Sequence, residues 1–242
     1  MRVSRLYLPQ PLTLGQPVPL DQEQQHYLSH VLRLKSGAAL VVFNGDGGEY
    51  QGQVQFSGRR HASVMLTEHR PGQAESPLTV KLGLVISRGE RMDYALQKSV
   101  ELGVTSVTPL TSERCVVKLD EDRAQNRLAH WDKIVQHAAQ QSGRTLKPVL
   151  HPIMALPDWL DRQSGTRVFL DPEASASLPE LGQAVRELTL LSGPEGGFNG
   201  DERHLAIAHA FMPVRLGSRI LRTETACVAA LAAAQTLWGD FR

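Results

Sequence analysis

A glycine-rich loop after an apolar run is the sharpest local feature of this sequence. It reads Gly193-Pro194-Glu195-Gly196-Gly197-Phe198, and Asn199 with Glu202 predicts a capping box where a helix begins. Glycines at the carboxyl end of a strand let backbone N–H groups come close to a ligand. Their order fits neither the dinucleotide-binding nor the P-loop pattern. We therefore expect a ligand loop here, with a plain strand-to-helix turn as the competing interpretation.

A second loop of the same kind runs from Leu216 to Ala226. It places two arginines, two threonines and a glutamate beside the apolar Ile220 and Leu221. This mixture suits a pocket with an apolar floor and a few polar groups. Thr223 is also a natural helix N-cap, and surface solvation is the usual fate of an arginine. Two such loops at one edge of a sheet favour ligand binding over these simpler explanations.

Three other features could do chemistry, and each has a simpler explanation. Ser87-Arg88-Gly89 lies between a predicted strand and a predicted helix, where N–H groups can meet an anion. His26 and His30 have the spacing of two metal ligands, but no third ligand is near, which favours a solvated and weakly basic face. No histidine is near Cys115 in the sequence, and its apolar flanks favour a packed thiol in a strand.

Composition excludes several classes of protein. The 242 residues carry 26 Lys and Arg against 25 Asp and Glu, so bulk charge cannot hold this chain to nucleic acid, although a local patch can. Residues 1–72 contain seven of the basic and five of the acidic residues, a modest local excess. Two cysteines are too few for a disulfide framework, and no run of about 18 apolar residues occurs. We expect a soluble cytoplasmic protein without a membrane partner.

Periodicity divides the chain near residue 72. The first part predicts a β-rich unit, with strands at residues 39–43, 50–56 and 62–67. Its one helix is expected within residues 20–34, where Asp21 and Gln24 predict a capping box and Leu28 and Val31 have the spacing of an inner face. Residues 70–77 are typical of a linker. Beyond them strands alternate with helices, which predicts an α/β domain with a mostly parallel sheet. The predicted strands are residues 78–86, 104–109, 167–170, 188–191 and 214–216, and the predicted helices end at residues 103, 142 and 238. The first of these helices is expected to turn one face inward, formed by Met92, Ala95, Leu96, Ser99 and Val100.

The last of these helices is rich in alanine and apolar almost all round. It runs from Glu224 to Trp238, and its small side chains allow another helix to approach closely. Both core packing and a subunit interface fit this pattern, and the sequence does not separate them.

Taken together, these segments resemble the RsmE family of 16S rRNA uridine-N3 methyltransferases, within the SPOUT class. The resemblance spans nearly the whole chain, and its motifs occur in order. They are residues 2–5, 31–35, 88–103, 112–115, 141–144, 193–198 and 216–226. Two positions depart from the family pattern: Gln140 stands where glutamate is expected, and Asn199 where serine is usual.

The resemblance implies a fold and an activity. It implies a PUA-like RNA-binding β-barrel over residues 1–72 and a SPOUT methyltransferase domain with a trefoil knot over residues 73–242. It implies S-adenosylmethionine as methyl donor, no metal, and a homodimer with its active site at the interface. The implied partner is 16S rRNA, in an assembled or late-assembling small subunit.

The resemblance also implies roles for particular residues. Arg222 would stabilise the uridine anion, and either Glu195 or Glu224 would accept the N3 proton. The methyl donor would lie among Leu170, Gly193, Pro194, Gly196, Gly197, Leu216, Gly217, Ile220, Leu221 and Thr223. The basic residues expected to contact the RNA come from the sequence itself, where a solvated surface is the simpler explanation; they are Arg2, Arg5, Arg33, Lys35, Arg88 and Arg91. Alternatives are a methyltransferase of tRNA or 23S rRNA and a non-catalytic RNA-binding relative; the missing phosphate-loop patterns disfavour a doubly wound nucleotide enzyme.

Overall fold

The chain forms two compact units. The computed structural model describes residues 3–58, 61–72, 75–115, 120–182 and 184–241. One unit comprises Met1–Glu75 and Ala139–Lys147, and the other comprises Ser76–Ala138 and Pro148–Arg242. The boundary expected between residues 72 and 73 stays a prediction. Within the described ranges no helix is both long enough and apolar enough to span a bilayer.

The first unit is built on a five-stranded sheet. Its strands are β1 (Ser4–Tyr7), β2 (Pro17–Leu20), β3 (Ala39–Phe43), β4 (Gly48–Ser57) and β5 (His61–Pro71). They pair in the order β1-β3-β4-β5-β2, with β1 and β3 parallel and the other pairs antiparallel. Alternate residues of β5, namely Ala62, Val64 and Leu66, are buried in the core, as a strand with one solvated face requires. The linker expected from residue 70 therefore begins later, because β5 continues to Pro71.

The helix of this unit begins as predicted and then changes its pitch. Helix α1 (Gln22–His26) has the expected capping box, in which Gln24 N–H donates to Asp21 Oδ1 at 2.7 Å. The chain continues as a π-helical turn over Tyr27–Val31. A π turn shifts every later side chain around the axis relative to an α-helix. Leu28 is consequently buried, whereas Val31 is 60% exposed although its spacing predicted the inner face.

The second unit contains an entirely parallel sheet. Its strands are β6 (Thr79–Val85), β7 (Ser106–Thr111), β8 (Val149–Leu150), β9 (Met154–Ala155), β10 (Thr166–Leu170), β11 (Glu187–Ser192) and β12 (Met212–Val214). The order is β12-β10-β11-β6-β7-β8, and β9 also pairs with β7. Every pair is parallel, which confirms the predicted α/β class. The knot concerns the path of the chain rather than the strand order, and it stays a prediction.

Five helices accompany this sheet in the described residues. They are α2 (Glu90–Glu101), α3 (Glu121–Ser142), α4 (Leu156–Leu160), α5 (Gly200–Ala208) and α6 (Thr223–Trp238). A 3-10 turn covers Leu178–Leu181. The predicted inner face of α2 is confirmed, because Met92, Ala95, Leu96, Ser99 and Val100 are all buried. The alanine-rich α6 packs on α2, where the Ser99 hydroxyl lies 3.5 Å from the Cys227 thiol.

Three strands of the second unit differ from the prediction: one lies at a shifted position, and two were not predicted. The expected strand at residues 214–216 is β12 at Met212–Val214. It tolerates Pro213 because it lies at the edge of the sheet, where a missing N–H group leaves no neighbour unpaired. The short strands β8 and β9 were not predicted, since two residues are too few to show alternation.

Candidate active site

Three parallel strands end at one edge of the sheet and place their loops around a cavity. Strand β10 ends at Leu170, β11 at Ser192 and β12 at Val214, and residues after each of them line the cavity. Its volume is about 400 Å³. Small-molecule sites have volumes of about 300–1,000 Å³ and in open α/β sheets lie beyond the carboxyl ends of strands. The position and size therefore suit a small organic ligand.

Most of the residues expected around the methyl donor line this cavity. They are Leu170, Gly193, Pro194, Gly197, Leu216, Gly217, Ile220, Leu221 and Thr223. Of the three expected catalytic residues, Glu195 and Arg222 line it too. Gly196 and Glu224 do not line the cavity. The structure thus brings both predicted loops together, as the shared sheet edge required.

Several lining residues escaped the sequence analysis. Asp171 and Pro172 directly follow β10, and Arg215 directly follows β12. Their positions at strand ends were the signal that could have identified them. Arg219 and Phe198 also line the cavity, and both were inside the quoted motifs without an assigned role.

The glycine-rich loop turns tightly before α5. Gly197 N–H donates to the Pro194 carbonyl at 2.9 Å, and Gly197 has a φ of 65°, a conformation that favours glycine. The predicted capping box follows: Glu202 N–H donates to Asn199 Oδ1 at 2.7 Å, and Asn199 N–H donates to Glu202 Oε2 at 3.0 Å. Asn199 therefore keeps the capping function that serine has in the family pattern.

The segment Ser112–Cys115 holds this loop from outside the cavity. Arg114 Nη1 donates to the Gly196 carbonyl at 3.0 Å. Glu113 N–H donates to Glu202 Oε1 at 2.8 Å, and the Glu113 carboxylate accepts from the Asn199 side-chain amide. Two neighbouring residues thus fix both the loop and the start of α5.

Neither cysteine lines the cavity. Cys115 follows a turn rather than lying in a strand as expected, because β7 already ends at Thr111 and Cys115 N–H bonds to the Ser112 carbonyl. Its half-buried side chain packs against the core that contains Trp159. Complete burial raises the pKa of Cys227 to about 11, so its thiol stays protonated and unreactive at neutral pH.

The loop between β12 and α6 carries the candidate cation. Arg222 is exposed and has an extended backbone at the N-cap position of α6. Thr223, the expected N-cap, is instead the first helical residue and is buried against the cavity. Helix α6 therefore starts one residue earlier than predicted, and Thr223 is free of the capping role. Ile220 is 88% exposed although it lines the cavity.

The acidic residues near the cavity have different environments. Glu195 forms an ion pair with Arg91, 3.3 Å away. Asp171 is buried and its Oδ2 lies 2.7 Å from Arg203 Nη2, in a contact without hydrogen-bond alignment. Glu224 has one buried oxygen, Oε2, for which the described structure provides no hydrogen-bond donor. Glu195 is thus the candidate proton acceptor that reaches the cavity.

Two expected RNA-binding arginines belong to the second unit. Arg88 is exposed just before α2, and Gly89 at the N-cap has a φ of 52°. Arg91 is exposed and lines the cavity. The anion-binding geometry expected for the start of α2 stays a prediction.

The other expected RNA-binding residues belong to the first unit. Arg33 and Lys35 are exposed, and Arg33 has an uncommon φ of 54°. Arg5 is largely buried: its guanidinium donates to Glu49 Oε2 at 2.6 Å and to the Arg144 carbonyl at 3.1 Å. Arg2 lies outside the described residues.

Gln140, which stands where the family pattern has glutamate, makes a hydrogen bond within the first unit. Its side-chain oxygen accepts a hydrogen bond from Tyr7 N–H at 3.1 Å. A glutamate could accept the same bond, so the change to glutamine removes a charge and keeps the acceptor.

Histidines, cysteines and acidic residues in the described ranges form no group of three or more that could hold a metal ion. His26 and His30 stack instead, with ring centroids 4.5 Å apart and both side chains exposed.

Comparison with known proteins defines the class. Residues 74–235 match the family described as RNA methyltransferase domain, and residues 20–65 match the family described as RNA methyltransferase PUA domain. The α/β unit with its strand-end cavity is thus an RNA methyltransferase domain, accompanied by a PUA-like domain.

Relatives over the full length narrow this class to one family. Ribosomal RNA small subunit methyltransferase E of Buchnera aphidicola (Schizaphis graminum) is 35% identical, covering 99% of this chain and 98% of the relative. A solved structure of that methyltransferase from Neisseria gonorrhoeae, bound to S-adenosylmethionine, is 38% identical with a TM-score of 0.93 and covers all of both chains. A Legionella pneumophila structure with bound SAM has a TM-score of 0.96 at 35% identity, again over both whole chains. The chain belongs to the ribosomal RNA small subunit methyltransferase E family.

Proposed function

We propose that this protein transfers a methyl group from S-adenosylmethionine to N3 of a specific uridine in 16S rRNA. The observation that carries the proposal is the cavity at the ends of β10, β11 and β12, in a chain that matches SAM-bound relatives over its whole length. Family membership supports small-subunit rRNA as the substrate. The choice of uridine N3 comes from the resemblance of the motifs.

The lining of the cavity fits this methyl donor. Leu170, Leu216 and Leu221 offer apolar surface for an adenine ring, and Gly193 and Gly197 allow close approach of the backbone to polar groups. The buried Asp171 carboxylate can accept from an ammonium or hydroxyl group. When bound, S-adenosylmethionine supplies a methyl group that its sulfonium sulfur has already made electrophilic.

The protein's own side chains would prepare the nucleophile. Uridine N3 must lose its proton before it can attack the methyl carbon, and the base must first leave its stack. Glu195 lines the cavity and would accept that proton. Arg222 would donate hydrogen bonds to O2 or O4 and so stabilise the negative charge that develops on the ring. The apolar lining would exclude water from the reacting atoms.

The remaining features of the proposal concern partners and domains. Residues 1–72 would form the PUA-like RNA-binding domain, and residues 73–242 the knotted methyltransferase domain. Arg33 and Lys35 are the stronger RNA contacts of the first unit, because the Arg5 guanidinium already bonds to Glu49. We propose a cytoplasmic homodimer that acts on an assembled or late-assembling small subunit.

Mass spectrometry of rRNA nucleosides from cells with and without this protein tests the proposal directly. We expect 3-methyluridine in 16S rRNA only when the protein is present. Transfer of a tritiated methyl group into isolated ribosomal subunits gives an independent measurement. Labelling confined to tRNA or 23S rRNA would contradict the proposed substrate, and failure to bind S-adenosylmethionine would favour a non-catalytic relative.

A further inference from the structure

More arginines than acidic residues line the cavity. Four arginines line it, together with the two carboxylates of Asp171 and Glu195. Each carboxylate has an arginine partner: Arg91 pairs with Glu195, and Arg203, which is outside the lining set, pairs with Asp171. The three lining arginines that remain are Arg215, Arg219 and Arg222.

These three arginines are available to a ligand. All three are exposed. No carboxylate in the described part of the chain lies within ion-pair distance of any of them. Each therefore contributes a positive charge to the cavity wall.

The methyl donor cannot balance this charge. S-adenosylmethionine has one carboxylate but also an ammonium and a sulfonium group, so it is a net cation when bound. Its arrival adds to the positive excess. A negatively charged second substrate would complement these arginines, and phosphate groups are anions that arginine binds well, through paired N–H donors.

The loop that carries these arginines presents them close together. Arg215 is anchored directly after β12, where its N–H donates to the Ala176 carbonyl at 2.9 Å. Gly217 has a φ of 77° and allows the chain to turn before Arg219. From Arg215 to Arg222 the chain reaches at most ~25 Å, so the three side chains can contact only a few neighbouring nucleotides.

We propose that Arg215 and Arg219 bind the backbone phosphates that flank the target nucleotide, which leaves Arg222 for the base. This inference rests on the proposed function, because it takes RNA as the substrate. It assigns a phosphate subsite to the rim of the cavity. Such contacts fix the register of the RNA without reading its sequence.

The salt dependence of RNA binding tests this subsite. Arg215→Gln and Arg219→Gln remove one charge each from exposed positions, and Arg162→Gln is the matched control, since Arg162 is exposed in the same unit and outside the cavity. The probe is the isolated small ribosomal subunit with unmodified 16S rRNA, at constant magnesium. Each rim variant should bind about 10-fold more weakly. The slope of log affinity against log salt should also fall by about 0.7–0.9.

Two comparisons separate phosphate binding from other roles. Arg215→Lys and Arg219→Lys should keep the salt slope, because a lysine still neutralises a phosphate. Calorimetric affinity for S-adenosylmethionine should stay within about twofold of the wild type in the glutamine variants, well below the change expected for a lost charged hydrogen bond.

Three results would overturn the subsite. In the first, the rim variants have the same salt slope as the Arg162→Gln control. In the second, the variants lose only affinity for S-adenosylmethionine, and in the third their oligomeric mass changes, which would assign the arginines to contacts with a second copy of the chain. A wild-type protein that does not bind the small subunit would overturn the subsite and the proposed substrate together. Methylation at an atom other than uridine N3, with the expected slopes, would contradict only the proposed function.

Discussion

Arg114 donates a hydrogen bond from Nη1 to the carbonyl oxygen of Gly196, at 3.0 Å. This bond joins the segment after β7 to the glycine-rich loop after β11. Gly196 is outside the cavity lining although Gly193 and Gly197 line it. The bond therefore fixes the outer side of a loop whose inner side faces the cavity, and we expect the Ser112–Cys115 motif to position that loop.

Replacing Arg114 should weaken cofactor binding more than it slows the reaction. We expect Arg114→Ala to lower the affinity for S-adenosylmethionine by about 5- to 10-fold, because ordering the loop would then cost the free energy of one hydrogen bond. At saturating cofactor kcat should stay close to that of the wild type. Calorimetry and steady-state kinetics measure the two effects, with Arg162→Ala as the control.

Partial recovery in Arg114→Lys would support the positioning role, since lysine can still reach a carbonyl as a donor. Equal losses of kcat in Arg114→Ala at all cofactor concentrations would contradict it. They would instead indicate a contact made only in the transition state.

The two candidate proton acceptors can be separated by matched amide substitutions. Glu195 lines the cavity, whereas Glu224 does not. We expect Glu195→Gln to lower kcat by about 100-fold or more, the usual effect of removing a general base. Glu224→Gln should change kcat much less. Single-turnover methyl transfer to small subunits provides the measurement, and the opposite order of effects would assign the base to Glu224.

The sequence was sufficient for those parts of the fold that depend on local periodicity. The buried face of α2, the capping boxes at Asp21 and Asn199, and the parallel sheet all follow from residue spacing and turn chemistry. Both ligand loops were also predictable, because strand ends in an α/β sheet share one edge.

Features that depend on distant contacts were not predictable. The outward position of Val31 arises from a π turn, which no spacing rule indicates. The hydrogen bond from Arg5 to Glu49 joins residues that are 44 positions apart in the chain. Asp171 lines the cavity because β10 lies between β11 and β12, an order that the sequence does not reveal.

Gly83 is a sensitive position in the centre of the parallel sheet. A Cβ atom there would lie 2.5 Å from the Trp159 ring and 2.9 Å from Leu110 Cδ1. We expect Gly83→Ala to reduce the free energy of unfolding by about 1–3 kcal/mol, the typical cost of overpacking. Gly200→Ala is the control, because a Cβ there meets nothing within 4 Å. Thermal unfolding measures both variants, and equal midpoints would contradict the close packing of β6 on α4.

His209 should make the stability of α5 depend on pH. Its Nδ1 lies 2.8 Å from the Leu205 carbonyl and its Nε2 lies 2.7 Å from Asp161 Oδ1, so only the imidazolium can donate to both. The backbone bond and then the carboxylate raise the pKa of His209 above its usual 6.5. Because the pKa is raised, the stabilisation is fully present below the usual pKa of 6.5, and it disappears as the pH rises through the folded-state pKa.

Thermal midpoints of the wild type and His209→Gln should therefore differ at about pH 6, by the equivalent of roughly 0.5 kcal/mol, and converge at about pH 9. A difference that grows with pH, or a His209 titration below 6.5 by NMR, would contradict this arrangement.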